Sequence, residues 1–429
     1  MKKLGCMLSA VVLSVVLADS AFGQEPKASR WGASAYFIPG RQLVVDSYER
    51  KWLQGKESSA VGLKLTHAAL PSDSDAYAHD YRYPTLSLGL NYSMNHGVTM
   101  HRSPDPDWGL AQMVDYDSRL GNTVSAYLEF ARPLLRSGRW EVDYTLAAGI
   151  GYNKTKYNPE NNVDNELIGS RWLIYFGAGT HVSYQFCQDW ALKAGVDFFH
   201  HSNGALNRPN KGSNTWGPSL ALCYRPYYRA LTHGDSDGDT HSEHSSGPSA
   251  FKKYCFLNFV AGIGGKTMLE DWKLTQFNTP PGDADYRTSD FRFYMAYSLQ
   301  TDVMYRYARR WASGLGVDFA YGTYADHIRQ LDEKMGKTAR HSPWSLGLAV
   351  RHEAYYHRLA LSMSVGVYLH RQMGADAKTI EKPYYEKIGL SYAFPSLGGL
   401  SVGGRVNAHS TKADFTEFVL SYPLRLFLL

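Results

Sequence analysis

The sequence predicts an all-β protein, an outer-membrane antiparallel β-barrel of about sixteen strands. Three observations carry this reading: an export signal at the start, no later apolar run of the ~18 residues that a membrane helix needs, and apolar residues recurring with period two. The composition agrees. The chain has 31 Tyr, 18 Phe, 10 Trp and 39 Gly in 429 residues, which suits strands that meet lipid on one face and a polar or small-residue lumen on the other. A soluble array of β-sandwiches is the rival that the same alternation allows.

The start reads Met1-Lys2-Lys3, an apolar stretch from Met7 to Leu17, and Ala21-Phe22-Gly23 before Gln24. That order of charge, apolar core and small residues is a secretory signal, expected over residues 1–23. Cys6 precedes the apolar core without a lipoprotein cleavage context, so no lipid anchor is expected.

Strands follow in order. In 138–152 the even positions Trp140, Val142, Tyr144, Leu146 and Ile150 are apolar, while Glu141, Asp143, Thr145, Gly149 and Gly151 are polar or tiny. Leu86, Leu88, Leu90 and Tyr92 repeat the split against Ser87, Gly89 and Asn91. Segments of this kind are expected near 31–38, 59–67, 82–94, 120–132, 138–152, 170–186, 189–200 and 214–224. A second set falls near 254–264, 289–306, 310–322, 342–354, 357–370, 382–394, 399–409 and 414–426.

Between the sets lies HGDSDGDTHSEHSSGPS, hydrophilic and aperiodic, which reads as a linker over 229–250. It separates a first domain, 24–228, from a second, 251–429. Its Asp235, Asp237, Asp239, His241 and His244 lack a complete calcium-loop spacing, so neither a metal nor a cofactor is expected. Lumen positions such as Gly314, Gly316, Gly347, Ala349, Ser364 and Gly366 suit a tight interior. Two tandem eight-stranded barrels are therefore expected, with one sixteen-stranded barrel as the alternative. Lumen charges, Arg292, Asp302, Asp318, Arg351, Glu353 and Arg405, read as paired core ions. The net charge of +5 is dispersed and leaves no footprint for nucleic acid. Cys187, Cys223 and Cys255 permit one optional bridge, with Cys223–Cys255 as the candidate.

At the end of the seventh strand the chain reads Phe198-Phe199-His200-His201-Ser202-Asn203-Gly204 and continues to Asn210 and Asn214. His200 and Ser202 are two apart on an extended segment and leave the same face, as a base and the hydroxyl it deprotonates must. Trp190, Leu192, Val196 and Phe198 mark that face as the lipid side, and Trp216, Leu220 and Leu222 do the same for the strand carrying Asn214. The three groups would converge on the outer wall at the rim.

The string His200-x-Ser202-Asn203 with Asn210 resembles the active-site signature of the outer-membrane lipid A 3-O-deacylases, the PagL-like acyloxyacyl hydrolases. Asn165 to Trp172, with Ile168-Gly169-Ser170, resembles the loop and strand before it. The resemblance covers the first barrel. It implies a membrane-embedded hydrolase acting on lipid A or lipopolysaccharide, with Ser202 as nucleophile and His200 as base. The family has a glutamate twelve residues past the serine, where this chain has Asn214. An amide can fix the imidazole tautomer but does not stabilise imidazolium as a carboxylate does. A slower Ser-His-Asn triad, another acid such as Glu166, or lost activity all remain open, and with lost activity the barrel would be a channel or a lipid- or partner-binding scaffold. Asn203 and Asn210 are assigned to the oxyanion or to loop support, and Gly204 to close backbone approach.

The second half ends on Asn407-Ala408-His409-Ser410, a similar string. His409 has lumen parity and Ser410 the opposite, so the two cannot repeat the dyad, and this half reads as structural.

Overall fold

The computed structural model describes residues 29–44, 47–104, 113–232, 250–338, 340–375, 383–410 and 412–428. The expected signal segment and most of the expected linker, including Asp235, Asp237, Asp239, His241 and His244, lie outside them.

Alternation at period two produces long strands that pair with their chain neighbours. The first eight large strands are β1 (Trp31–Gln42), β2 (Glu57–Ala68), β3 (Thr85–Gly97), β6 (Thr123–Ser137), β7 (Trp140–Asn153), β8 (Trp172–Gln185), β9 (Trp190–Ser202) and β10 (Ser213–Tyr224). They close into one barrel, with β10 pairing back on β1. A small hairpin, β4 (Thr99–Met100) and β5 (Ser118–Arg119), sits in the connection between β3 and β6.

The second barrel runs β11 (Tyr254–Thr267), β12 (Phe293–Ala308), β13 (Trp311–Gly322), β14 (Trp344–Tyr356), β15 (Leu359–Arg371), β16 (Tyr384–Phe394), β17 (Leu400–His409) and β18 (Lys412–Leu428). β18 pairs with β11 and closes it. Of the two expected architectures, the protein adopts two eight-stranded barrels.

The reason is the lumen. A Cβ on Gly347 would come within 2.7 Å of the Tyr385 ring, and one on Gly314 within 2.6 Å of Met304 Sδ. Small residues make room for large inward ones, and charged groups pair beside them. Asp318 receives Arg351 and Lys387, each at 2.7 Å, and the Tyr385 hydroxyl at 2.5 Å, while Arg351 also pairs with Asp302. Arg405 meets Glu417 at 2.7 Å, and Glu353 accepts from the Tyr355 hydroxyl. In the first barrel Lys193 pairs with Asp143 at 2.8 Å, and His181 bridges Asp143 and Asp197 at 3.1 and 3.0 Å. Arg292 departs from expectation: it precedes β12 and lies over the Tyr294 ring at 5.1 Å. The outer walls are apolar, with Leu128 66% and Leu315 65% exposed, the inverse of a water-soluble protein and the normal state of a lipid-facing one.

The cysteines Cys187, Cys223 and Cys255 are all free thiols, so the optional bridge is not made.

One end of each barrel carries long connections. In the first barrel, parts of these fold over the rim around Trp52, Met100, Leu120, Leu167 and Ile168, all buried. At this end Gln276 of the second barrel donates to Tyr157 of the first at 2.8 Å, and Trp272 packs edge-on against the same ring. At the opposite end Arg306 donates to Tyr77 at 3.0 Å, and His357 lies 2.8 Å from Asp75. The barrels therefore touch at both ends.

Candidate functional site

β9 and β10 are joined by residues 203–212, and the register sets His200 directly opposite Asn214. Side chains paired across antiparallel strands share a face with Cβ atoms ~5 Å apart. The imidazole consequently reaches the amide, with His200 Nδ1 2.7 Å from Asn214 Oδ1. With the amide oxygen as acceptor, Nδ1 carries the hydrogen and Nε2 keeps its lone pair. The face is the outer one, since Leu192 and Val196 on β9 and Trp216 on β10 are exposed. Ser202 follows two residues on, opposite Ile174 of β8, and is buried. Among the described residues no hydrogen bond joins Ser202 to His200. His201, by contrast, points into the lumen, where its Nε2 lies 2.8 Å from Ser125 Oγ.

The loop beyond Ser202 is held by its own side chains. Asn210 Oδ1 accepts the Asn203 N–H at 2.8 Å, and Asn203 Nδ2 donates to the Asn207 carbonyl at 3.1 Å. Through these bonds both asparagines brace the loop. Gly204 has φ +62° and sits where a Cβ would collide with the Thr416 side chain. Gly212, which the sequence reading did not single out, is as demanding: its φ is +80°, and a Cβ there would lie 2.5 Å from His200 Cε1. A side chain at 212 would push the imidazole off its position.

The segment before β8 buttresses this loop. Lys211 N–H donates to the Glu166 carbonyl at 3.1 Å, Gly212 N–H to that of Leu167 at 2.9 Å, and Asn207 Nδ2 to that of Gly169 at 3.0 Å. The Glu166 side chain is engaged elsewhere: it accepts from the Tyr48 hydroxyl at 2.8 Å and from Arg102 Nε at 2.9 Å. Burial opposes the charge on Arg102, but Glu166 and Asp164 outweigh it and hold the guanidinium pKa above its ordinary value. Asn214, not Glu166, is the group on His200. This network also escaped the sequence reading, because its members come from three separate connections.

In the second barrel, His409 Nε2 lies 2.8 Å from the Tyr368 hydroxyl and Ser410 lies in the turn with φ +49°. The similar string there builds no second copy of the arrangement.

Fold and rim geometry define a membrane β-barrel protein with polar chemistry on its lipid-facing wall. Two family descriptions match in tandem: lipid A 3-O-deacylase (PagL) over residues 82–222 and acyloxyacyl hydrolase, C-terminal domain, over residues 255–426. Each half of the chain thus matches a description from the PagL group of hydrolases, and both family and fold imply the outer membrane. Similar solved structures include the outer membrane enzyme PagL, 12% identical with a TM-score of 0.26, spanning 45% of this chain and 98% of that one. The Pseudomonas putida toluene transporter TodX is 8% identical with a TM-score of 0.17, over 93% of this chain and 90% of that one. No curated protein matches the chain.

Proposed function

We propose that the protein is an outer-membrane carboxylic-ester hydrolase that removes an ester-linked acyl chain from lipid A. Ser202 Oγ attacks the ester carbonyl, and its proton passes to His200 Nε2. The bond to the acyl carbon forms as the carbonyl opens to an oxyanion. Collapse of that intermediate expels the sugar alkoxide, which takes the proton back from His200 and leaves an acyl-enzyme. Water then repeats the sequence and frees the fatty acid. Asn214 holds the tautomer that leaves Nε2 available, and Asn203, Gly204 and Asn210 shape the loop beside the ester. No step requires a metal or cofactor.

The observation that carries this reading is the 2.7 Å His200–Asn214 contact on the lipid face, two residues from Ser202. Lipid A lies in the outer leaflet, so its ester meets this wall without entering a lumen. Ser202→Ala should abolish acyl release from lipid A in membranes, followed by mass spectrometry of the lipid, while the protein keeps the heat-modifiable gel mobility of a closed barrel. Deacylation at the wild-type rate in that variant would overturn the assignment.

A second reading, a barrel without catalysis that serves as a scaffold, draws on the amide at position 214. It replaces the first if the wild-type protein leaves every lipid A species intact.

A further inference from the structure

The outward series on β18 is Thr416, Phe418, Leu420 and Tyr422, apolar except at its rim member, and Phe418 is 52% exposed. On β11 the outward parity of Phe259 and Ile263 runs on to Thr267, yet Thr267 is only 2% exposed. Both threonines are covered by the same object, the 203–212 loop of the first barrel. Thr416 Oγ1 donates to the Gly204 carbonyl at 2.6 Å. Thr267 donates twice to the Ala205 carbonyl, from its N–H at 2.9 Å and from Oγ1 at 3.2 Å. In return the Arg208 guanidinium donates to the Thr267 carbonyl through Nε at 3.1 Å and Nη2 at 3.0 Å.

Arg208 is buried, and burial lowers its pKa, with Glu270, Asp414 and Asp271 only partly offsetting that effect. Its guanidinium is held by the Thr267 carbonyl, and among the described residues no carboxylate is paired with it. Gly204 completes the fit, because any side chain at that position would meet Thr416.

We propose that the second barrel positions the catalytic loop of the first, with Thr416 and Thr267 as positioning residues that clamp Gly204 and Ala205 immediately beyond Ser202. The inference rests on the ester-hydrolase reading for its kinetic consequence but not for the clamp itself. The second barrel is then a working part of the site: it fixes where the Ser202 hydroxyl stands relative to His200, although none of its residues touches the ester.

The test uses the full-length protein in detergent micelles. Thr416→Val removes the hydroxyl donor at nearly constant shape, and Thr416→Ser restores it. In Thr416→Val the amides of residues 203–212 should exchange with deuterium about tenfold faster, and kcat for acyl release should fall about tenfold with KM little changed. Thr416→Ser should return both to wild type. Arg208→Met cuts the clamp from the loop side and should reproduce both effects, which keeps the test decisive if Thr416→Val does not fold. Unchanged exchange in folded Thr416→Val and Arg208→Met would overturn the clamp. Faster exchange at a wild-type kcat would overturn its catalytic role. If the wild-type protein releases no acyl chain, the hydrolase reading fails, and exchange alone still decides whether the clamp exists.

Discussion

At position 214 a neutral amide faces the imidazole, where on the hydrolase reading a carboxylate would stabilise the imidazolium formed during proton transfer. Aspartate has the shape of asparagine, so Asn214→Asp places a charge at the present 2.7 Å contact. Asn214→Asp should raise the initial rate of acyl release by on the order of tenfold or more. A folded variant with an unchanged or lower rate would show that residue 214 does not orient His200. Much of this residue-scale picture was legible in the sequence, because parity alone puts His200, Ser202 and Asn214 on one face. Gly212 was not legible. Its importance depends on a φ of +80° and on the imidazole packed against it, and neither has a signature in a loop already rich in Gly and Asn.

Among the elements, strands were the readable part and their ends were not. Alternation located all sixteen barrel strands. It stopped β1 near residue 38, however, where Pro39 and Gly40 suggest a break, and the strand in fact continues to Gln42. β6 likewise runs on to Ser137, through an irregularity between Pro133 and Leu135 that absorbs the proline. Connections were opaque because their structure comes from distant partners. The Tyr48–Glu166–Arg102 network draws on three of them, and Arg102 reaches Gln276 of the second barrel as well. Removing the guanidinium strands Glu166 and Asp164 in a buried site. Arg102→Ala should therefore lower unfolding free energy by about 3–5 kcal/mol, read from urea titration of the micelle-folded protein. An unchanged midpoint would mean that the network is dispensable.

For the molecule as a whole, the deciding quantity is lumen volume. Two eight-stranded cylinders plugged by Asp318–Arg351–Lys387 and by Asp143–Lys193–His181 leave no wide water path. In planar bilayers the protein should give no steady ionic current, and large, stable single-channel steps would contradict the closed lumens. The clamp on the 203–212 loop also has a consequence in time. Thr416 belongs to β18, the strand that closes the second barrel onto β11. The first barrel can complete its own sheet before that happens, but the loop behind Ser202 gains its bond from Thr416 only once β18 is in place. Activity would then mature after insertion, as a late event that reports completion of the whole chain. On the hydrolase reading, an assembly intermediate stalled with the first barrel formed would sit in the membrane with its proposed centre still unset, and lipid around it would be spared until the second barrel sealed.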